Sequence, residues 1–170
     1  ERVGTDGTFE VRLDLEAIRI ALEDARTDGI DAVAIVFMHG YRFMDHEKRI
    51  AAIARDIGFT QVSVSHEVSP LMKLVGRGDT TVVDAYLSPI LRRYVEQIAD
   101  ELGISGKNGN SKLKLMFMQS NGGLTAADLF QCKDAILSGP AGGDVGMVET
   151  GEMAGFDKLI GFDMGGTSTD

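Results

Sequence analysis

The sequence predicts an α/β fold in layers, with a largely parallel sheet and flanking helices. Residues 32–38 form a continuous apolar run, which is typical of a strand covered on both faces. Helical periodicity over residues 45–57 then leads to a second strand pattern at 61–65. A strand, helix, strand order of this kind is a right-handed parallel crossover in nearly all known cases. The 170 residues can bury roughly 70% of the surface of the unfolded chain, enough for a core.

The N-terminal elements follow from turn and cap residues. Residues 1–13 alternate around Asp6-Gly7, a dipeptide preferred in two-residue hairpin turns, so we expect a short antiparallel ribbon. Asp14 is placed to cap a helix that runs to about residue 28 and stops at Gly29. The helix between the two core strands begins at Asp45 and stops at Gly58 in the same way.

A long, mostly helical stretch is predicted over residues 70–102, where Pro89 should kink or restart the helix. Its apolar residues form a stripe at helical spacing: Tyr86, Leu87, Ile90, Leu91, Tyr94, Val95 and Ile98.

The C-terminal third continues the strand and helix alternation. Residues 106–111 are a loop, 113–118 a third core strand, and Thr125 is placed to cap a short helix. A helix of small residues follows over 138–154, and a fourth strand is expected over 158–162.

Composition excludes several classes of function. The chain carries 17 Lys and Arg against 26 Asp and Glu, a formal charge of −9, whereas nucleic acids and anionic membranes require a cationic face. This acidic balance predicts no nucleic-acid partner. The chain also contains no apolar run of roughly 18 residues, so we expect no membrane span. A single cysteine, Cys132, excludes an internal disulfide framework and favours the cytoplasm.

The strongest candidate for chemistry is the segment 163–170. Gly165 and Gly166 provide a turn whose backbone N–H groups can approach a phosphate, and Thr167 and Thr169 add hydroxyl donors. Asp163 ends the preceding predicted strand, where a carboxylate can hold a hydrated Mg²⁺ ion. The alternative is an ordinary hairpin turn rich in Gly, Ser and Thr.

Two further glycine clusters follow predicted core elements. Ser138, Gly139, Gly142 and Gly143 open a helix, and a helix N-terminus attracts anions. The alternative is a packing helix capped by Ser138. The second cluster is a polar turn directly after a strand: Ser120, Asn121, Gly122 and Gly123. We interpret it as a tight turn, and the alternative is a contact with the substrate.

The histidines and the cysteine are weaker candidates. His39 and His66 each follow a predicted strand, so neighbouring strands could bring them together, but the spacing of the histidines matches no metal motif. We expect hydrogen-bonded strand-end residues. Cys132 has no evident base partner and is interpreted as a small packing residue.

Several stretches together resemble the hydantoinase A/5-oxoprolinase family, which belongs to the superfamily of actin, heat-shock-70 and the sugar kinases. They cover nearly the whole chain, and the last three in their order are the most specific: residues 32–39, 65–70, 80–89, 118–124, 137–143 and 161–170. The chain departs from the family pattern at Asp84, where many relatives have asparagine, and at residues 76–79.

The resemblance implies a partial ribonuclease-H-like ATPase fold with two lobes around a nucleotide cleft. Residues 1–137 would be part of the first lobe, and residues 138–170 the inter-lobe helix and the start of the second. The first phosphate hairpin would precede Glu1, so we expect a fragment of a longer protein. Asp163, Gly165, Gly166, Thr167 and Thr169 would face the ATP phosphates and Mg²⁺.

The activity that the resemblance implies is ATP-dependent opening of a cyclic amide such as 5-oxoproline or a hydantoin. A hydantoinase B-type subunit or domain is the expected partner. Two alternatives are an ATP-dependent ketone carboxylase subunit of the same family and a non-catalytic nucleotide-binding module.

Overall fold

The structure is a computed structural model that describes residues 1–104 and 113–165. It divides into two compact units, Glu1–Arg93 (unit 1) and Tyr94–Asp170 (unit 2). These units reflect packing within this chain, whereas the lobe assignment 1–137 and 138–170 stays a prediction. The predicted loop at 106–111 lies outside the described residues.

Unit 1 begins with the predicted antiparallel ribbon. Strand β1 (Arg2–Val3) pairs with β2 (Phe9–Val11), and five residues connect them instead of the expected two. The connection closes through a hydrogen bond from Gly4 N to Thr8 O at 2.8 Å, and Gly7 adopts a φ of +91°. Thr8 donates from its backbone N–H and its hydroxyl to Asp6, which holds the pKa of that carboxyl below its usual value.

The predicted crossover unit is confirmed. Helix α1 (Leu15–Thr27) starts where Asp14 Oδ1 accepts the N–H of Ala17 at 3.0 Å. Strand β3 (Ala32–Ile35) leads to helix α2 (Asp45–Ile57), which ends at the left-handed Gly58, with a φ of +101°. Strand β4 (Gln61–Val64) then pairs with β3 in parallel. Each strand ends earlier than predicted, β3 by three residues and β4 by one.

The apolar core lies on one face of the β3–β4 pair. Ile35 and Val64 point to this face and pack against Ile50 and Ala51 of α2. Partly buried side chains surround this cluster: Leu13, Ile18, Leu22, Val33, Phe37 and Val62. Burial of this face accounts for the regular spacing of apolar residues in α1 and α2.

The other face of β4 packs against a helix through polar side chains. After a short helix α3 (Ser65–Val68), helix α4 (Leu74–Glu101) runs through Pro89, and it starts four residues later than predicted. Its buried residues lie within a narrow arc at about 100° per residue: Arg77, Thr81, Asp84, Ala85 and Ser88.

The apolar stripe of α4 is not buried: three of its residues are exposed and the other four, Leu87, Leu91, Val95 and Ile98, are half-buried. Tyr86 is 72% exposed, and Val82, Ile90 and Tyr94 are also exposed, on the side of the helix opposite the buried arc. The physical reason is that β4 and the residue after it present hydrogen-bonding groups on this face, from Gln61, Ser63 and Ser65. Asp84 and Arg77 of α4 bond to the hydroxyls of Ser63 and Ser65, which an apolar side would leave unpaired.

Unit 2 starts from the C-terminal part of α4 and contains a hairpin and a helix. Strand β5 (Met116–Met118) pairs antiparallel with β6 (Leu124–Ala126). Thr125 therefore lies inside a strand, and the short helix predicted from it is replaced by two single turns, Ala127–Leu129 and Cys132–Asp134. Helix α5 (Ser138–Met153) follows and confirms the predicted helix of small residues.

The strand predicted over residues 158–162 is absent from the described structure. These residues run along α5 as a single chain segment without a strand partner, so Ile160 is left 98% exposed. Among the described residues, β3–β4 is the parallel pair, and the other two ladders are antiparallel. No helix in the described parts of the chain is both long and apolar enough to cross a membrane.

Candidate functional site

A buried carboxylate lies beyond the carboxyl ends of β3 and β4. Glu47, in the first turn of α2, is fully buried. Its Oε1 accepts from Phe37 N at 2.8 Å and from Ser65 Oγ at 2.6 Å. Its Oε2 accepts from His66 N at 3.1 Å and lies 2.7 Å from His66 Nδ1. Four hydrogen bonds thus compensate the cost of burying the charge.

A fully buried arginine, Arg77, is linked to this carboxylate through the hydroxyl of Ser65. Its guanidinium lies 5.5 Å from the ring centroid of Tyr41, and Nε donates to Ser65 Oγ at 2.9 Å. The Nη atoms donate to four main-chain carbonyl oxygens, those of Phe37, Met38, Leu71 and Met72. A planar fork with five donors suits this role, since one side chain ties together the segments after both strands.

A second polar chain crosses the interface between β4 and α4. Gln61 Nε2 donates to Ser63 Oγ at 2.8 Å, and Ser63 Oγ donates to Asp84 Oδ2 at 2.6 Å. Ser88 Oγ donates to Asp84 Oδ1 at 3.0 Å. Asp84 is the position at which the chain departs from the asparagine of many relatives. Both of its oxygens accept from hydroxyls, whereas an asparagine amide offers one acceptor oxygen.

The three histidines are all held at Nδ1. His39 Nδ1 lies 2.8 Å from Val3 O, His66 Nδ1 contacts Glu47, and His46 Nδ1 lies 3.0 Å from Glu1 Oε2. The expectation of hydrogen-bonded histidines is confirmed for His39 and His66, which follow β3 and β4. The described residues contain no group of three or more His, Cys, Asp or Glu side chains that could hold a metal.

In unit 2, Ser120 ties the β5–β6 turn to the start of α5. Its hydroxyl donates to Asp134 O at 2.8 Å and accepts from Leu137 N at 3.0 Å. Asn121 Oδ1 accepts from Gly123 N at 2.8 Å, and Gly122 has a φ of +79°. These contacts establish the tight turn, and a substrate contact at Ser120, Asn121, Gly122 and Gly123 stays a prediction.

Within the described residues, the N-terminus of α5 carries no side-chain cap. Leu137 is the N-cap residue, so the alternative of a Ser138 cap was wrong. The first turn contains no acidic residue. Gly142 faces Met118, because an added Cβ would lie 3.7 Å from Met118 Cγ. Gly139 and Gly143 face open space, where an added Cβ would meet nothing within 4 Å.

The segment after α5 returns along that helix. A Cβ on Gly151 would collide with the side chain of Leu159, and a Cβ on Gly161 would lie 2.6 Å from Met147 Sδ. At both positions a Cβ would require the contacting side chain of Leu159 or Met147 to shift, so the segment lies close against the helix. Asp163 and Gly165 follow and are exposed, while Gly166, Thr167 and Thr169 lie outside the described residues.

Sequence reasoning missed Glu47, Ser65 and Arg77. Arg77 lies in a predicted helix, on the side away from the apolar stripe. That position predicts a solvent-exposed side chain, so the sequence pattern contained no signal for its burial. Cys132, expected to be a packing residue, is buried at 5% exposure.

Comparison with known proteins places both parts of the chain in one family. The profile described as "Hydantoinase/oxoprolinase" matches residues 77–170, and that described as "Hydantoinase/oxoprolinase N-terminal region" matches residues 1–58. The chain is 43% identical to 5-oxoprolinase of Saccharomyces cerevisiae over 162 residues, 92% of this chain and 12% of that protein. It is 37% identical to caprolactamase subunit alpha of Pseudomonas jessenii over 175 residues, 99% of this chain and 24% of the relative.

Solved structures give the same grouping and support the expected fold class. The crystal structure of ATP-dependent caprolactamase from Pseudomonas jessenii matches with a TM-score of 0.83 and 35% identity, over 99% of this chain and 24% of that one. A nucleotide-free structure of acetone carboxylase matches with a TM-score of 0.81 and 25% identity, with the same coverage. From the profile matches and these relatives together, the chain belongs to the hydantoinase/oxoprolinase family.

Proposed function

We propose that the protein carrying this chain hydrolyses a cyclic amide at the expense of ATP. Two relatives support the proposal. One is 5-oxoprolinase at 43% identity, and the other is caprolactamase subunit alpha of Pseudomonas jessenii, an organism whose ATP-dependent caprolactamase has a known crystal structure. The chain spans about 12% and 24% of these relatives' lengths, so the activity belongs to the whole protein. Transfer of a phosphoryl group to the amide oxygen would convert that oxygen into a leaving group.

The phosphate site in this proposal lies between the N-terminus of α5 and Asp163, and the register of the return segment carries the argument. Leu159 lies against Gly151, and Gly161 lies against Met147. Two residues of extended chain cover about 6.6 Å and four helical residues cover about 6 Å, so each step keeps pace. Continued by one step, this register directs Asp163 toward the side of Gly143, where an added Cβ would meet nothing within 4 Å, and we propose that a phosphate occupies the space between them.

The residues present fit an ATP phosphate chain with a metal ion. Gly139 and Gly143 leave open space at a helix N-terminus whose first turn carries no acidic side chain, which is where an anion is stabilised. The Asp163 carboxylate has no hydrogen-bond or ion-pair partner within the described residues. Mg²⁺ prefers one or two carboxylates together with waters, and a single exposed aspartate suits that preference. Gly165, Gly166, Thr167 and Thr169 are proposed to complete the cradle.

A partner subunit is part of the proposal. The relative from Pseudomonas jessenii is named subunit alpha, which indicates that at least one other subunit exists in that protein. We place a hydantoinase B-type subunit or domain in the same role here. The cytoplasmic location expected from the single cysteine stays a prediction.

The second candidate activity is ATP-dependent carboxylation of a ketone. The acetone carboxylase structure favours it, with a TM-score of 0.81. Identity to that protein is 25%, below the 35–43% found for the cyclic amide hydrolases, so hydrolysis is the first choice.

Turnover by the whole protein tests the proposal. Phosphate release from Mg·ATP is measured with 5-oxoproline, a hydantoin, caprolactam, or acetone plus bicarbonate. We expect release with a cyclic amide, and Asp163→Ala should lower kcat on the order of 100-fold. Asp157→Ala, an exposed aspartate on the same segment, serves as the matched control. Full turnover in the Asp163 variant contradicts the phosphate site. Phosphate release with acetone plus bicarbonate, and with none of the cyclic amides, favours the carboxylase.

A further inference from the structure

The imidazole of His66 is held in one tautomer by its surroundings. A carboxylate only accepts hydrogen bonds, so the contact of 2.7 Å between His66 Nδ1 and Glu47 Oε2 requires the proton on Nδ1. In the neutral ring the other nitrogen, Nε2, then carries a lone pair and acts as an acceptor. The carboxylate that orients the ring is itself fixed by Phe37 N, Ser65 Oγ and His66 N.

The side chain of His66 is only 5% exposed, and its Nε2 atom is not fully enclosed. Nε2 makes no hydrogen bond within the described structure, and its nearest charged neighbour, Glu67 Oε1, lies 3.7 Å away. Among the described residues, the one buried side-chain nitrogen or oxygen without a hydrogen-bond partner is Gln61 Oε1. His66 Nε2 is absent from that set, so it keeps some exposure without a hydrogen-bond partner in the described structure.

The position of His66 is one where α/β proteins bind small molecules. The residue directly follows Ser65 at the carboxyl end of β4, and β3 ends beside it in parallel register. Ligands of open parallel sheets bind outside the carboxyl ends of the strands. Arg77 holds the chain segments after both strands, so this edge is rigid before any ligand arrives.

We propose that His66 Nε2 accepts the ring N–H of a cyclic secondary amide, so that His66 is a specificity-determining residue. The proposal rests on the proposed function and names the group that separates its two candidate substrate classes. A cyclic secondary amide presents an N–H donor, whereas a ketone or an N-alkylated amide presents none. A pre-oriented, largely buried acceptor binds the N–H group of the secondary amide. A ketone or an N-alkylated amide would leave this acceptor without a hydrogen bond.

His66 serves this role better than His39. The Nδ1 of His39 lies against a neutral main-chain carbonyl, that of Val3, whereas His66 is held by a charged carboxylate. Charge-assisted hydrogen bonds are shorter and about twice as strong, so His66 is oriented more firmly. The charged groups that face His66 are Glu47 and Glu67, with Arg77 linked through Ser65.

The activity test compares 2-pyrrolidone with N-methyl-2-pyrrolidone in the whole protein. We expect wild type to favour the N–H compound in kcat/KM by roughly 10- to 100-fold, mainly through KM. His66→Phe should bring this ratio near one, His66→Gln should keep part of it because its amide oxygen can accept, and His39→Phe should leave it unchanged. A wild-type ratio in His66→Phe overturns the proposal.

A binding measurement decides the proposal separately from turnover. The full chain, labelled with ¹⁵N in its histidines, is titrated with the same two compounds and followed by NMR. We expect the Nε2 resonance of His66 to move with 2-pyrrolidone and to stay in place with the N-methyl compound. An unchanged resonance with both compounds refutes the role of His66. Loss of all ATP-dependent amide turnover with the resonance still moving refutes the proposed reaction alone.

Discussion

The two units bury different kinds of groups. Unit 1 buries an apolar cluster on one face of its parallel strands and, on the other side, a network of charged and polar groups that includes Glu47, Arg77 and Asp84. In the described part of unit 2, the buried residues are Cys132 and Gly151. Unit 1 thus uses its polar groups for internal contacts, whereas unit 2 leaves backbone and carboxylate groups exposed.

This difference teaches how to separate structural from ligand-binding polar residues. Glu47 and Arg77 have nearly all their hydrogen-bonding capacity satisfied by the chain itself, so removing either one should destabilise the fold. Asp163 and the open glycines of α5 have no such partners within the described residues, so removing them should spare the fold. Stability and nucleotide binding should therefore respond to mutation in different units.

The largest expected effect is on the stability of unit 1. Arg77→Met leaves four buried carbonyl oxygens and the Ser65 hydroxyl without their donor, which should lower the free energy of unfolding by about 3–5 kcal/mol. Urea denaturation followed by circular dichroism measures it, with the exposed Arg92→Met as control. A loss below about 1 kcal/mol would show that the network of unit 1 is dispensable.

A smaller effect should appear in unit 2, with opposite signs for stability and binding. Gly143→Ala and Gly146→Ala both add a methyl group to α5 in open space, so each should stabilise the helix by about 0.5–1 kcal/mol. Calorimetric titration with Mg·ATP should show binding weakened roughly 10-fold in the whole protein for Gly143→Ala alone, because only there would the Cβ obstruct a phosphate. Equal affinities in the two variants would remove Gly143 from the phosphate site.

The smallest effect concerns the exposed stripe of α4. Tyr86→Ser should change the free energy of unfolding by no more than about 0.5 kcal/mol, because the ring is 72% exposed. Its neighbour Ala85 is buried, and Ala85→Leu should cost about 1–3 kcal/mol by overpacking. If Tyr86→Ser is instead the more costly of the two, the orientation of α4 is the reverse of that described here.

Sequence reasoning succeeded where local signals determine structure. Asp14, Gly29 and Gly58 mark the ends of α1 and α2 because caps and left-handed glycines act within one turn. The parallel pairing of β3 and β4 follows from the general handedness of crossovers. The orientation of α4 could not be predicted, because apolar periodicity favours a buried stripe and the sequence does not show that β4 presents polar groups on this face.

The candidate sites divide in the same way. The open glycines of α5 and the exposed Asp163 lie in segments that the sequence singled out, because glycine turns and helix starts are local patterns. The cluster of Glu47, Ser65, His66 and Arg77 was missed because its members come from separate elements and meet only after the crossover has folded. Long-range polar contacts of this kind leave no spacing pattern.

Hydrogen–deuterium exchange of the whole protein, with and without Mg·ATP, tests the central claim most directly. The account predicts slower exchange in peptides covering residues 138–146 and 159–165 of unit 2. Exchange should stay unchanged in peptides covering residues 37–48 and 65–77 of unit 1. Protection confined to the unit 1 peptides, or no protection in unit 2 at a saturating nucleotide concentration, would contradict it.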